Sequence, residues 1–252
     1  MVEKVWGRDT LPAPFTAPGD TRIGEIWFEP PPECEALLVK YLFTSEKLSV
    51  QVHPSNANAL PGEAGKEECW LVLDAQPGAQ LAIGFDAPVS PEEIEAAARD
   101  GSIEDLLTWH DVAPGDVFYL PAGTVHAIGP GLALVEVQQN SDTTFRLYDY
   151  GRPRALHLER AMAVAIGEPY PHEHVSSVAE RGTALIDGPH FRLDRIEGEP
   201  DARLISEYDE PLLALPLAGR LSGAGPGDCL YAPSLTALDF SAAEITLLTR
   251  PR

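Results

Sequence analysis

Apolar and β-branched residues fall along this chain in short runs separated by turn residues. The runs "TRIGEIWFE", "ALLVKYLF", "KLSVQVH", "ECWLVLDA" and "AQLAIGF" occupy the first third. Later come "DVFYL", "TVHAI", "LALVEVQQ", "TFRLYDY", "HFRLDRIEG", "LLALPL" and "LTALDF". Such runs, bounded by Gly, Pro, Asn and Asp, predict strands. One stretch differs. "SPEEIEAAARDGSIEDLLTW" predicts a helical insertion over about 90–109. Ser90 and Glu93 make a capping box, Pro91 suits the first helical position, and Gly101 can end a first helix before Ser102 and Asp105 begin a second. "LHLERAMAVAI" predicts one more helix. Strands dominate, which points to an all-β sandwich or open barrel.

The segment "PGDVFYLPAGTVHAI" (114–128) recurs without a gap as "PGDCLYAPSLTALDF" (226–240). Pro114, Gly115, Asp116, Tyr119, Pro121 and Thr124 reappear as Pro226, Gly227, Asp228, Tyr231, Pro233 and Thr236. A repeated strand–turn–strand unit predicts two β domains of one type. The informative position is a mismatch: His126 becomes Leu238. If the shared residues build the turn, the histidine is extra to the fold and its purpose is chemical.

In a strand, residues i and i+2 face the same way. Gln51 and His53 therefore share one face of "SVQVH", and Val50 and Val52 the other. By the same rule Leu134, Glu136 and Gln138 share a face, as do Thr144, Arg146 and Tyr148. Inward residues from different strands of a small barrel converge on one cavity. Gln51, His53, Glu68 and His126 are thus a candidate ligand set. Two imidazoles, a carboxylate and an amide oxygen suit a borderline divalent ion such as Zn²⁺. Each is a weak signal by itself, because a lone His or Glu is more often a surface or hydrogen-bonded residue. Lys66 reads equally as a loop lysine or a ligand for an anion. Cys69 alternates away from Glu68, toward a core. His110, His157, His172, His174 and His190 read as structural or surface histidines.

The formal charge of −21 argues against nucleic acid, which needs a basic stripe. It would also repel a small anion unless a local site reversed the sign; Lys66, Arg146 and a bound divalent cation would do so. The 252 residues suffice for one large or two small domains. No apolar run is long enough to span a bilayer, and "MVEKVWGRDT" has no apolar segment for secretion. Three cysteines, Cys34, Cys69 and Cys229, without CxxC spacing, predict reduced thiols and a cytoplasmic location. Monomer and homodimer are both compatible with the sequence.

The motifs "GEIWF", "QVHP", "GKEECWLVL", "PGDVFYLPAGTVHAIGPG" and "VEVQQNSDTTFRLYDYGRPRALHL", in that order, resemble the type I phosphomannose isomerases in their short bacterial form. The resemblance runs from residue 24 to about 165. It implies two cupin (jelly-roll) β-barrels, with residues 1–158 as a catalytic metal-binding domain and 159–252 as a short second domain without metal ligands. It also implies one zinc ion per chain on Gln51, His53, Glu68 and His126, an active-site arginine at Arg146, and an active-site place for Lys66. The sequence departs from the family at Phe145, where Tyr is usual, and at Leu71 after Trp70, where Tyr is usual. Neither change touches a ligand.

The implied reaction interconverts mannose 6-phosphate and fructose 6-phosphate through an enediolate. Glu136, a carboxylate on an otherwise apolar strand, is the candidate proton shuttle, with a histidine or a water on the metal as alternatives. Two other classes are compatible with the residues: a different metal-cupin enzyme, such as a dioxygenase or another sugar isomerase, and a non-catalytic sugar-binding bicupin. The first commonly uses a His-x-His pair where this chain has Gln51-x-His53. The second has no need of Arg146 or Glu136.

Overall fold

A computed structural model describes residues 1–252. Its strands form three antiparallel sheets. The first has seven, in the order β1 (Val2–Arg8), β2 (Ile23–Phe28), β3 (Leu37–Phe43), β10 (Leu132–Gln139), β5 (Glu68–Ala75), β8 (Asp116–Leu120) and β12 (Val175–Ser177). The second has five: β11 (Phe145–Tyr148), β4 (Val50–Val52), β9 (His126–Ile128), β6 (Gln80–Phe85) and β7 (Leu107–Asp111). The third also has five: β13 (Ala184–Asp187), β14 (Phe191–Glu197), β17 (Ala242–Pro251), β15 (Leu212–Arg220) and β16 (Leu230–Ala232). The helices are α1 (Pro91–Asp100), α2 (Leu158–Met162), α3 (Val178–Arg181) and α4 (Ala202–Glu207). This is the strand-dominated architecture that the apolar runs predict, in the cupin-like form that the family resemblance implies. No helix is long and apolar enough to cross a membrane.

The alternation along each strand sorts side chains into layers. Between the first two sheets lies a core containing Leu42, Trp70, Val72, Leu81, Ile83, Phe118, Ile128 and Leu134. The outer face of the second sheet gives Val50, Val52, Ala127, Phe145 and Leu147 to a core shared with Ile94 and Ala98 of α1 and Ala161 of α2. The outer face of the first sheet packs Val39, Tyr41, Leu71, Val135 and Val137 against Phe191, Leu193, Leu213, Leu215 and Leu247 of the third. That double coverage explains why every residue of β3 and β10 is buried. Cys69 takes its place in the same outer core, and all three cysteines are free thiols.

Helix α1 begins as its sequence requires. Ser90 accepts from the Glu93 N–H while Glu93 accepts from Ser90, a device that contributes about 1 kcal/mol. Gly101, at φ 90°, ends it. The expected second helix is only a 3-10 turn over Ser102–Asp105, and Leu107–Asp111 is strand β7 rather than helix. Thr108 and Trp109 favour a pleated surface, and pairing with β6 decides the outcome. "LHLERAMAVAI" likewise yields only the short α2. Val2–Arg8, to which the sequence analysis assigned no strand, forms the edge strand β1.

Both copies of the repeat build the same turn. Gly115 and Gly227 have φ of 95° and 93°. Asp116 Oδ2 accepts from Ala113 N at 2.8 Å, and Asp228 Oδ2 from Gly225 N at 2.9 Å. The first copy continues through β8 into β9. The second continues through β16 into a 3-10 turn at Leu235–Ala237, so Leu238 lies outside any strand.

Candidate active site

Each candidate donor comes from the inward phase of its strand. Val50 and Val52 point to the helices, so Gln51 points the other way, and His53 follows in the same phase. Ala127 points outward and leaves His126 inward, directly across from Gln51 in the ladder. On β5, Cys69 and Leu71 face the third sheet, and Glu68 and Trp70 face the interior. Three strands thereby deliver one cluster: His53, Glu68 and His126, each at most 2% exposed, with one donor atom apiece within 4.8 Å of the others.

The imidazoles are oriented by backbone carbonyls. His53 Nδ1 donates to Thr143 O at 2.9 Å, and His126 Nδ1 donates to Thr124 O at 2.9 Å. A carbonyl only accepts, so the proton of each neutral ring sits on Nδ1 and the Nε2 lone pair faces the cluster. Both Nε2 atoms converge on Glu68. His53 Nε2 is 3.6 Å from Oε2 and His126 Nε2 is 3.5 Å from Oε1. Donors held about 2.0–2.2 Å from a tetrahedral ion stand roughly 3.3–3.6 Å apart. Glu68 Oε1 is buried and has no hydrogen-bond partner. An unpartnered carboxylate oxygen facing an imidazole lone pair in a buried site is made favourable by a shared cation, so the residues fit a divalent metal. Gln51 is adjacent: its Nε2 is 3.2 Å from His126 Nε2, and a half-turn of the amide would present Oε1 to the same place.

Lys66 sits against this cluster. Its loop folds back on Ser55 and Asn56 at Gly65, where a Cβ would lie 2.5 Å from Asn56 N, so only glycine fits. Lys66 N donates to Pro54 O at 2.9 Å. Lys66 Nζ then donates to Glu68 Oε2 and to His53 Nε2, the latter at 3.3 Å. Burial alone would lower the Lys66 pKa, but Glu136 and Glu68 beside it reverse the sign and raise it. Burial would raise Glu68, yet Lys66 and His126 hold it below the usual carboxylate range. Burial, then Lys66 and His126, push His53 well below the ordinary imidazole value, and burial also lowers His126. Both rings are therefore neutral near pH 7, the form in which imidazole ligates.

Gln51 and Lys66, which touch the cluster, also line a cavity of about 230 Å³ whose wall includes Glu136 and Arg146. The same wall carries Lys4, Lys40 and Arg154 against Glu25 and Asp142, so five cations meet three carboxylates in a protein of charge −21. Glu136 is 4% exposed and locked at both oxygens: Oε1 accepts from Lys40 Nζ at 3.2 Å and Oε2 from Trp70 Nε1 at 3.0 Å. Lys66 Nζ is 3.9 Å away. Arg146 is paired with Gln51 across β11 and β4, and its guanidinium has no protein partner.

The structure thus brings all seven candidate residues to one place. It adds three to which the sequence pattern assigns no place in the site. Lys40 and Trp70 are the ladder neighbours of Glu136 on either side; a lysine in the middle of "ALLVKYLF" was the available signal. His157 brackets Arg146: its Nδ1 accepts from Arg146 N at 3.1 Å, and its own N–H donates to Arg146 O at 2.8 Å. His172 and His174 lie in a 3-10 turn away from the site, with His174 against Tyr119 and Tyr170.

No protein-family model matches the chain. It is 42% identical over 197 residues to the mannose-6-phosphate isomerase of Streptococcus mutans, a match covering 73% of this chain and 61% of that protein. It is 44% identical over 147 residues to mannose-6-phosphate isomerase ManA of Bacillus subtilis, covering 55% and 46%. The chain therefore spans about half to three fifths of the length of these curated relatives. In three dimensions the likeness is end to end. The solved mannose 6-phosphate isomerase of Bacillus subtilis superposes with a TM-score of 0.72 at 26% identity, over 99% of this chain and 96% of that one. A putative mannosephosphate isomerase from Archaeoglobus fulgidus gives a TM-score of 0.77 at 19% identity, over 100% and 95%. A mannose 6-phosphate isomerase solved in a zinc-bound form gives 0.67 at 14%, over 100% and 97%.

Proposed function

We propose that the chain belongs to the mannose-6-phosphate isomerase family and that it interconverts mannose 6-phosphate and fructose 6-phosphate with one zinc ion per chain. The observation that carries this reading is the buried His53–Glu68–His126 cluster, joined through Gln51 and Lys66 to a cationic cavity that also presents Glu136 and Arg146. A dioxygenase or a binding module would need the cluster or the cavity, but not a locked carboxylate and an unpartnered guanidinium beside it. The occupant of the cavity is a small phosphorylated sugar; the charge of the chain argues against nucleic acid.

His53, Glu68, His126 and Gln51 would hold the metal. As a Lewis acid it would supply stabilisation of the negative charge that develops on the sugar's carbonyl oxygen. The chain's own residues do the rest. Glu136 takes the proton from the carbon beside the carbonyl of the open-chain sugar and returns it to the neighbouring carbon, while the hydroxyl proton passes from one oxygen to the other. Lys40 and Trp70 hold its carboxylate in place by a hydrogen bond to each oxygen. Arg146, free of protein partners, donates to the oxygen on which enediolate charge appears. Lys66 holds Glu68 ionised and adds positive charge to the same wall.

The test is conversion of mannose 6-phosphate in D₂O by metal-loaded protein. The expected result is fructose 6-phosphate, with solvent deuterium at C1 in the fraction of turnovers where the carboxylate exchanges its proton with water before returning it. No conversion would overturn the assignment, and parental turnover by a Glu136→Gln variant of unchanged metal content would remove Glu136 from its role.

A further inference from the structure

The loop that follows β11 presents a second guanidinium to the cavity. Asp149 is 2% exposed and organises it. Its Oδ2 accepts from Arg154 Nε at 2.6 Å, its Oδ1 from Arg154 Nη2 at 2.6 Å, and Oδ1 also from Arg152 Nη1 at 3.3 Å. The backbone closes a reverse turn over the same residues, with Arg152 N donating to Asp149 O at 3.0 Å. The two residues inside the turn, Tyr150 and Gly151, have φ of 56° and 73°. Glycine takes positive φ freely; tyrosine does so only where its surroundings compel it. Here the compulsion is visible. The Tyr148 ring lies 5.0 Å from that of Tyr150, and Lys47 Nζ and the Arg152 guanidinium stand over the Tyr150 ring at 5.7 and 5.3 Å. A turn held in a costly shape by several contacts serves to place something, and what it places is Arg154.

Arg146 and Arg154 both line the cavity, and after burial the Arg154 charge is the next cause that lowers the Arg146 pKa. Their settings differ. Arg146 is the cross-strand neighbour of Gln51, beside the metal donors. Arg154 belongs to the loop beyond the end of the strand and touches none of those donors. Its Nε edge is spent on Asp149, so the fork is fixed and Nη1 has no protein partner. A fixed guanidinium next to a second one matches a dianionic tetrahedral group, and that group relieves the repulsion between them.

We propose that Arg154, oriented by Asp149, binds the terminal phosphate of the substrate, with Asp149 as a positioning residue that never meets the sugar. The division places the phosphate at the loop end of the cavity and leaves Arg146 to the reacting carbons. This rests on the sugar-phosphate reading above, so the experiment measures phosphate binding apart from turnover. Inorganic phosphate is titrated calorimetrically into metal-loaded parent, Arg154→Ala, Arg154→Lys and Asp149→Asn proteins, and the kinetics with mannose 6-phosphate are measured alongside. Arg154→Ala should weaken phosphate binding roughly 10-fold or more, the scale of a lost charge-assisted pair. Its kcat/KM should fall by a similar factor, chiefly through KM, with metal content as in the parent. Arg154→Lys should recover part of the affinity, and Asp149→Asn should fall between parent and Arg154→Ala. Phosphate binding by Arg154→Ala equal to that of the parent overturns the proposal even if the protein is an isomerase. Loss of phosphate binding in Arg154→Ala by a protein that isomerises nothing sustains the anion site and removes the isomerase reading instead.

Discussion

Residues 114–128 and 226–240 start from the same turn and end in different chemistry. Gly115 and Gly227 adopt the same left-handed backbone, and Asp116 and Asp228 close the turn with the same hydrogen bond. After the turn the first copy enters a ladder in which His126 lies opposite Gln51. The second breaks into a 3-10 turn, and Leu238 ends partly buried beside the core of the third sheet. The shared residues therefore encode a corner, and the corner is indifferent to metal. What makes the first copy a site is the strand after the corner, together with two neighbouring strands whose inward phase carries Gln51, His53 and Glu68. The same sheet system shows the complement: the unit holding no donor cluster contributes the apolar face that buries the back of β3, β5 and β10.

The sharpest way to break this comparison is to make the first copy resemble the second. His126→Ala should lose metal affinity by more than the roughly 10–100-fold typical of outer-sphere changes, and lose activity with it. Its far-ultraviolet circular dichroism should match the parent, because Leu238 shows that the corner needs no histidine. A variant that retains full metal content would remove His126 from the ligand set. Next in size is Arg146→Ala, which leaves the donors intact. Its metal content should be unchanged while kcat falls on the order of 10²-fold or more, the usual cost of losing a donor at a developing oxyanion. A loss confined to KM would make Arg146 a ground-state clamp.

Gln51 tests the neutral member of the set. Gln51→Ala should weaken metal binding modestly, much less than His53→Ala does, as measured by competition with a chelator, because an amide oxygen is a weaker donor than an imidazole. Gln51→His should bind at least as well and turn over more slowly. Unchanged zinc affinity and turnover in Gln51→Ala would make it a bystander. The smallest effect is on acid stability. His53 and His126 have folded pKa values below the ordinary 6.5. Between the folded and unfolded values the unfolded chain binds more protons, so stability is complete above about pH 6.5 and declines as pH falls below it. Glu68, also lowered, adds to the loss in the same direction at lower pH. The urea midpoint of metal-free protein should drop between pH 7.5 and 5.5, and a flat profile would contradict the buried neutral pair.

Period-2 alternation made the inward phase legible: Gln51 with His53, and Glu136 within "LALVEVQQ", stand where the pattern puts them. The repeat made His126 legible by contrast with Leu238. Other features depend on long-range pairing that no local pattern carries. Thr143 O and Thr124 O fix the imidazole tautomers, yet a backbone carbonyl has no sequence signature. Lys40 and Trp70 meet Glu136 only because β10 pairs with β3 on one side and β5 on the other. Leu107–Asp111 followed tertiary pairing rather than the helical pattern upstream of it. His157, which reads as an ordinary histidine, brackets Arg146 from eleven residues away along the chain.

The central claim is that the His53–Glu68–His126 cluster is a metal centre on which isomerisation depends. Its most direct test is to strip the protein with a chelator, confirm by elemental analysis that it is metal-free, and titrate zinc back while assaying mannose 6-phosphate isomerisation. The account predicts no turnover in the stripped protein and recovery that saturates at one equivalent per chain. Full turnover by protein proven free of metal would contradict it.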